Sequence, residues 1–363
     1  MFADERDLRT SSFTELTRRQ WLARTAIAVG GSAWTWGRGA AGQDAAAIAE
    51  YQRPFGPRAP WNLPVADLPP HELGTGLVTR LFRDAGGDRN QSFAITTDSH
   101  TYAVHDAKTA TGPTAIKSYW PSNLVGKIPW NPLWKSPSGT DGGVIVLDAE
   151  LGLEWDLSKA EYRNQLIKAD AANLVTGDYR TREDGFLPSR GSGLPYLAML
   201  VRPEEVELGK IEHALSMTIA NVSTTEFAPP ASKAAFTRGL RLGVPAGTRF
   251  SLRYTDEEID KWLSKLPKKL SDRTRETARI IAVALRDYGW FITDSSPGNL
   301  LQFESNVTAE KKWAKLGFDT VKVLKDEYPR DLVNGLFTAD RVVAYAPSDQ
   351  YAEELRARAT VVE

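Results

Sequence analysis

The residues with chemical potential concentrate in Ser189-Arg190-Gly191-Ser192-Gly193-Leu194-Pro195-Tyr196-Leu197, continuing through Arg202 and Glu205 to Gly209-Lys210-Ile211-Glu212-His213-Ala214-Leu215. Glycines at 191 and 193 permit close backbone approach and unusual φ, so the stretch could present Arg190 and Tyr196 rigidly; a tight bend between strands would use the same glycines. Gly191-Ser192-Gly193 lacks the Gly-x-Ser-x-Gly spacing of a nucleophile elbow, so Ser192 is not read as a nucleophile. His213 opens a predicted strand whose alternate residues Leu215, Met217 and Ile219 are apolar, which points to a buried or cleft-lining imidazole. Burial lowers a histidine pKa and keeps the ring neutral, the form that a general base needs and that a core histidine also has.

Two kinds of chemistry fit these residue types. Cleavage of a uronic-acid chain by a lyase needs a group to neutralise the carboxylate and a base for the C5 proton; Arg190 or Arg202 suits the first task and His213 or Tyr288 the second. Glycoside hydrolysis needs two carboxyl groups roughly 5 to 9 Å apart, for which Asp141, Asp148, Glu205 and Asp294 are candidates. The lyase is preferred slightly because Arg, His and Tyr cluster in the most distinctive segments. The alternative is a non-catalytic carbohydrate-binding or envelope protein, in which Trp120, Trp130 and Trp134 stack on sugar and the central segments only hold the fold.

Composition narrows the field. The chain has 363 residues, with 45 Lys+Arg against 46 Asp+Glu and a net charge of -1, so no global field would draw in nucleic acid or an anionic membrane, although a local basic cleft could still grip a polyanion. The absence of cysteine excludes disulfides, thiolate metal ligands and a cysteine nucleophile. No dinucleotide fingerprint, Walker loop or His-Glu-x-x-His occurs. With four histidines, a metal site would have to combine His100 and His105 with Asp98 and Asp106, and surface histidines explain that pair more cheaply. No cofactor is expected, although a structural calcium held by Asp and backbone oxygens is compatible with the sequence. Eleven Trp and eleven Tyr exceed what a core requires and favour an aromatic binding surface.

The elements that must position these residues read as mainly β. The six prolines between Pro54 and Pro70 interrupt any helix and mark an irregular arm. Loose alternation runs from Ser92 to His105, and Gly143 to Asp148 is a compact apolar run typical of a buried strand. Hairpins are predicted where Leu240, Leu242 and Val244 meet Phe250, Leu252 and Tyr254 across Pro245-Ala246-Gly247, and where Trp290 to Ile292 meets Leu300 to Phe303 across Ser295 to Gly298. One helix is clear between Ser271 and Tyr288, with apolar residues at helical spacing and Gly289 placed to end it. The expectation is an antiparallel β-sandwich or jelly roll with one or two peripheral helices.

The chain opens with Thr17-Arg18-Arg19-Gln20-Trp21-Leu22, then a mildly apolar run too short to span a bilayer and the small residues Gly39, Ala40 and Ala41. This order reads as a twin-arginine signal. It predicts engagement of the twin-arginine export machinery, a periplasmic or extracellular location, an extracellular polysaccharide as ligand, and no integral membrane span. The expected organisation is a signal segment and linker over 1–45, one β-rich domain over 46–306, and a polar, partly helical extension over 307–363. The segments Ser189 to Pro195, Gly209 to Leu215, Val244 to Arg249 and Leu285 to Gly289 resemble a group of secreted, largely uncharacterised actinobacterial-type proteins. That resemblance, covering roughly Pro57 to Glu304, implies export and a single domain and supplies no reaction.

Overall fold

The computed structural model describes residues 52–83, 92–124, 126–139, 141–175, 177–183, 190–234, 239–318 and 331–347. The Arg18-Arg19 segment, Ser189 and residues 319–330 and 348–363 of the expected extension lie outside the described residues.

Among the described residues the chain forms sixteen strands and five helices. Helix α1 (Gly74–Arg83) precedes β1 (Phe93–Thr96), β2 (Tyr102–Asp106), β3 (Gly112–Ser118), β4 (Lys127–Trp130), β5 (Gly143–Asp148), β6 (Leu153–Ser158), β7 (Glu161–Arg163), β8 (Leu166–Ala169) and β9 (Ala171–Val175). The single-turn α2 (Pro203–Glu207) leads to β10 (Leu215–Ile219), β11 (Val222–Phe227), β12 (Val244–Ala246) and β13 (Arg249–Leu252). Helices α3 (Asp256–Lys265) and α4 (Asp272–Asp287), strands β14 (Trp290–Ser295) and β15 (Asn299–Gln302), helix α5 (Asn306–Lys315) and β16 (Val342–Tyr345) complete the order.

The fold is mainly β with few helices, as the patterning implies. Its sheets are mixed rather than antiparallel. A six-stranded sheet runs β1-β15-β10-β14-β13-β16, two four-stranded sheets run β2-β5-β6-β9 and β4-β3-β8-β7, and β11 pairs with β12. The pairs β1–β15, β10–β14, β11–β12, β2–β5 and β3–β8 are parallel. Parallel neighbours need long returns, which intervening strands and helices supply here.

The second predicted hairpin forms its strands and turn without the pairing; in the first, Leu240 and Leu242 are exposed and precede the strand, and Pro245 and Ala246 of the predicted turn form β12 with Val244. Gly247 turns the chain at φ 85, where a Cβ would meet Ala228 O at 1.7 Å. Yet β12 bonds to β11, while β13 lies between β14 and β16. Likewise β10 inserts between β14 and β15, and the Ser296 N–H donates to Ile219 O across the would-be turn at 3.0 Å. Alternating polarity reports which face is buried, and here it is blind to which strand is adjacent.

Helix α4 follows its sequence signals. Ser271 accepts from the Thr274 N–H at 3.0 Å as N-cap, Ala278, Ile281, Ala282 and Leu285 are buried, and Gly289 leaves the helix at φ 69. The expected boundary at 306 falls at the start of α5, whose Trp313 is fully buried and donates through its indole N–H to Glu304 O. Beyond it, β16 bonds along β13 from Val342 to Tyr345, so this part of the expected extension belongs to the main sheet.

The sheet β2-β5-β6-β9 is covered on both faces, which explains the continuous apolar run of β5. Val144, Val146, Trp155 and Leu157 pack on Ile128, Trp130 and Ile167 of the smaller sheet, forming a satellite core. Ile145 turns the other way into the main core.

Candidate functional site

Arg190 sits at the heart of the main core, 2% exposed. Its guanidinium donates to Ser216 Oγ at 2.7 Å, Gln302 Oε1 at 2.8 Å and Tyr196 O at 3.1 Å. It also lies over the Tyr102 ring at 4.8 Å and the Tyr196 ring at 5.6 Å, and those two rings stack at 4.2 Å. Strand β10 supplies Ser216 and β15 supplies Gln302, so the insertion of β10 builds this socket. Burial pushes the Tyr102 and Tyr196 phenols above their ordinary range, which makes either a poor base.

Two further acids face this cluster. Glu154 and Asp156 alternate along β6 with Trp155 and Leu157, so all four face buried surroundings. Glu154 accepts from the Leu197 N–H and Asp156 from the Tyr196 N–H, each at 3.2 Å. Burial, then the Asp156 charge, push the Glu154 pKa well above the usual carboxylate range. Sequence reasoning missed both, because alternating acids and hydrophobes read as one solvated face and one buried face.

Asp294, near the end of β14, is half-buried beside the same cluster. Its pKa is raised to about 6 by burial, against the 2.8 Å Ser295 N–H bond and the charge of Arg190, with the negative charge of exposed Asp141 adding to the rise. Asp148 serves the β5–β6 turn, accepting from the Glu150 and Leu151 N–H groups at 3.0 Å.

His213 is buried as expected, and its charge state differs from the expectation. Its Nδ1 faces Ala214 O at 2.9 Å and its Nε2 faces Glu205 Oε1 at 2.9 Å, so both nitrogens meet acceptors and both carry hydrogens. Burial opposes the charged ring, but the Glu205 charge and hydrogen bond, with the Ala214 carbonyl, outweigh it and raise the His213 pKa. A buried ring held between two acceptors offers no free lone pair to a substrate. Glu205 is equally committed, closing the N-terminus of α2 by accepting from the Arg202 N–H at 2.9 Å. Arg202 is clamped between Glu304 and Glu204, and Lys312 bonds Glu204 at 2.5 Å.

The structure therefore brings Arg190, Tyr196 and Asp294 together, and separately pairs His213 with Glu205; the side-chain partners of Arg190 and His213 have no residue in common. Half-buried Tyr288 belongs to the surroundings of Glu212 and Arg53. Among the described residues, no group of three His, Asp or Glu side chains could hold a metal ion, and no helix is long and apolar enough to cross a membrane.

The three tryptophans part company. Trp130 is 2% exposed within the satellite core, and Trp134 is half-buried, stacked on His105 at 4.6 Å. Trp120 is 60% exposed and meets the 79% exposed Tyr119 edge to face at 5.1 Å. Both sit at an open groove of about 410 Å³ lined also by Ser118, Pro121, Ser122 and Ala172. Their backbone is fixed: the Tyr119 and Trp120 N–H groups donate to Ala169 O and Asp170 O at 2.9 Å, continuing the β3–β8 ladder, and Asn123 exchanges two hydrogen bonds with Leu174. Tyr119 escaped sequence reasoning because a lone tyrosine beside a tryptophan carries no periodic signal. Compared with known proteins, the chain matches no family model, no curated protein and no solved structure.

Proposed function

We propose that this protein is an exported carbohydrate-binding protein that holds polysaccharide on the Tyr119–Trp120 platform. The observation that carries this reading is the exposed aromatic pair on a hydrogen-bonded segment beside an open groove. An isolated exposed ring is ordinary; two adjoining large rings at a groove, on a fixed backbone, are ready to stack on the C–H face of a pyranose at little ordering cost. Export rests on the Arg18-Arg19 motif. The test is retention of the purified chain in gels containing dissolved polysaccharide: the wild type is slowed by at least one polymer, and a Trp120→Ala variant runs as in the empty gel. Equal mobility of the two proteins in every polymer would sink the reading.

A second reading, hydrolytic, is favoured by one observation. Asp294, raised to about 6, lies within the electrostatic reach of exposed Asp141, and two carboxyls in unlike environments suit the acid and base of glycoside hydrolysis. Release of reducing ends that vanishes in Asp294→Asn would support it. The lyase reading draws less support, since Arg190 and His213 are enclosed in the core, away from any open groove among the described residues.

A further inference from the structure

The sheet β4-β3-β8-β7 packs one face into the satellite core and leaves the other open. Register decides which residues share that open face. Lys117 lies opposite Lys168, Ala115 opposite both Lys127 and Leu166, Glu161 opposite Lys168, and Arg163 opposite Leu166. Paired residues and residues two apart on a strand point to the same side, so Lys117, Lys127, Lys168 and Arg163 crowd one face against the single carboxylate of Glu161. All five are exposed, and Glu161 is taken by Arg163 at 3.2 Å. The three lysines have no carboxylate partner among the described residues.

Like charges directly opposite one another in a ladder repel, and the acid beside them, Glu161, already bonds Arg163. The net charge of -1 makes the patch local rather than a spillover of general basicity. Its position adds the second half of the case. Lys117 stands two residues before Tyr119, and Lys168 precedes Ala169, whose carbonyl receives the Tyr119 N–H. The cationic face thus ends at Tyr119, beside which Trp120 lies with Ser118 at the groove.

We infer that the ligand of the platform is an anionic polysaccharide, a polymer of uronate or sulfated sugars, whose rings stack at Tyr119–Trp120 while its acid groups lie along Lys117, Lys168 and Lys127. This rests on the carbohydrate-binding reading above and names its substrate class. The spaced ammonium groups supply point charges to successive acid groups of an extended chain, and the half-exposed Ala115 and Leu166 between them leave room for it.

The test compares the full chain on polygalacturonate, an uncharged cellulose ether, phosphatidylglycerol vesicles and oligothymidylate. The expected result is tightest binding to polygalacturonate, weakened about tenfold on passing from low to high salt. Replacing Lys117, Lys127 and Lys168 together by Gln weakens that binding about tenfold, with a melting temperature that does not fall, because all three are exposed and their mutual repulsion is relieved. Glu161→Lys, which removes the one acid of the face, strengthens it. Binding of the cellulose ether as tight as that of polygalacturonate overturns this inference and leaves the platform reading standing. Retention of no polysaccharide overturns both. Vesicles or oligothymidylate held as tightly through the same lysines would make the face a general polyanion surface and overturn the sugar assignment.

Discussion

Trp120→Ala removes a ring that touches little of its own protein, whereas Trp130→Ala empties part of the satellite core. The first change should weaken polysaccharide binding by about 2 kcal/mol, roughly thirtyfold, and leave urea unfolding where it was. The second should cost about 3–5 kcal/mol of stability, read as an earlier urea midpoint. The buried His213–Glu205 pair predicts a pH signature. Because the folded pKa of His213 is raised above its ordinary 6.5, the stabilisation is complete below that value and fades as pH rises through the folded pKa. Glu205→Gln should therefore be about 1.5–3 kcal/mol less stable than wild type near pH 6, with the gap closing on the alkaline side. A gap that stayed constant with pH would mean that His213 is neutral throughout.

At the scale of elements, α4 carries its instructions locally, and its variants should behave accordingly. Ser271→Ala deletes the N-cap acceptor and should cost about 1 kcal/mol. Gly289→Ala places a Cβ 1.9 Å from Phe250 O at φ 69, where strain alone costs about 1–3 kcal/mol, so its melting temperature should fall further than that of the cap variant. Cap, stripe and terminator lie within one short segment, which is why this helix was legible from sequence. The strands β5, β13 and β14 were legible as elements for the same reason. Their partners were not, because the choice of β10 over β15 as neighbour to β14 is made by packing far from any local signal. The site divides likewise. His213 announced its burial through its apolar neighbours, but Glu205 eight residues upstream decided its charge. Glu154 and Asp156 looked solvated because nothing in their own strand reveals a covered second face.

A buried acid with a raised pKa ties the stability of the whole molecule to pH. Glu154 takes up its proton on folding, since its pKa rises from about 4.5, so the folded state binds more protons than the unfolded one and stability falls as pH rises above that value. Glu154→Gln keeps the acceptor for Leu197 and discards the titration. It should melt higher than wild type at pH 8, with the advantage shrinking toward pH 4, as a calorimetric series would show. The order of the largest sheet has a bearing on synthesis. β15, among the last strands made, is the one that joins β1, among the first, to β10. A chain emerging from the ribosome must therefore hold β1 unpaired, and β10 without one of its two neighbours, until the segment through Gln302 has appeared, so the central sheet cannot assemble in the order in which its strands are made.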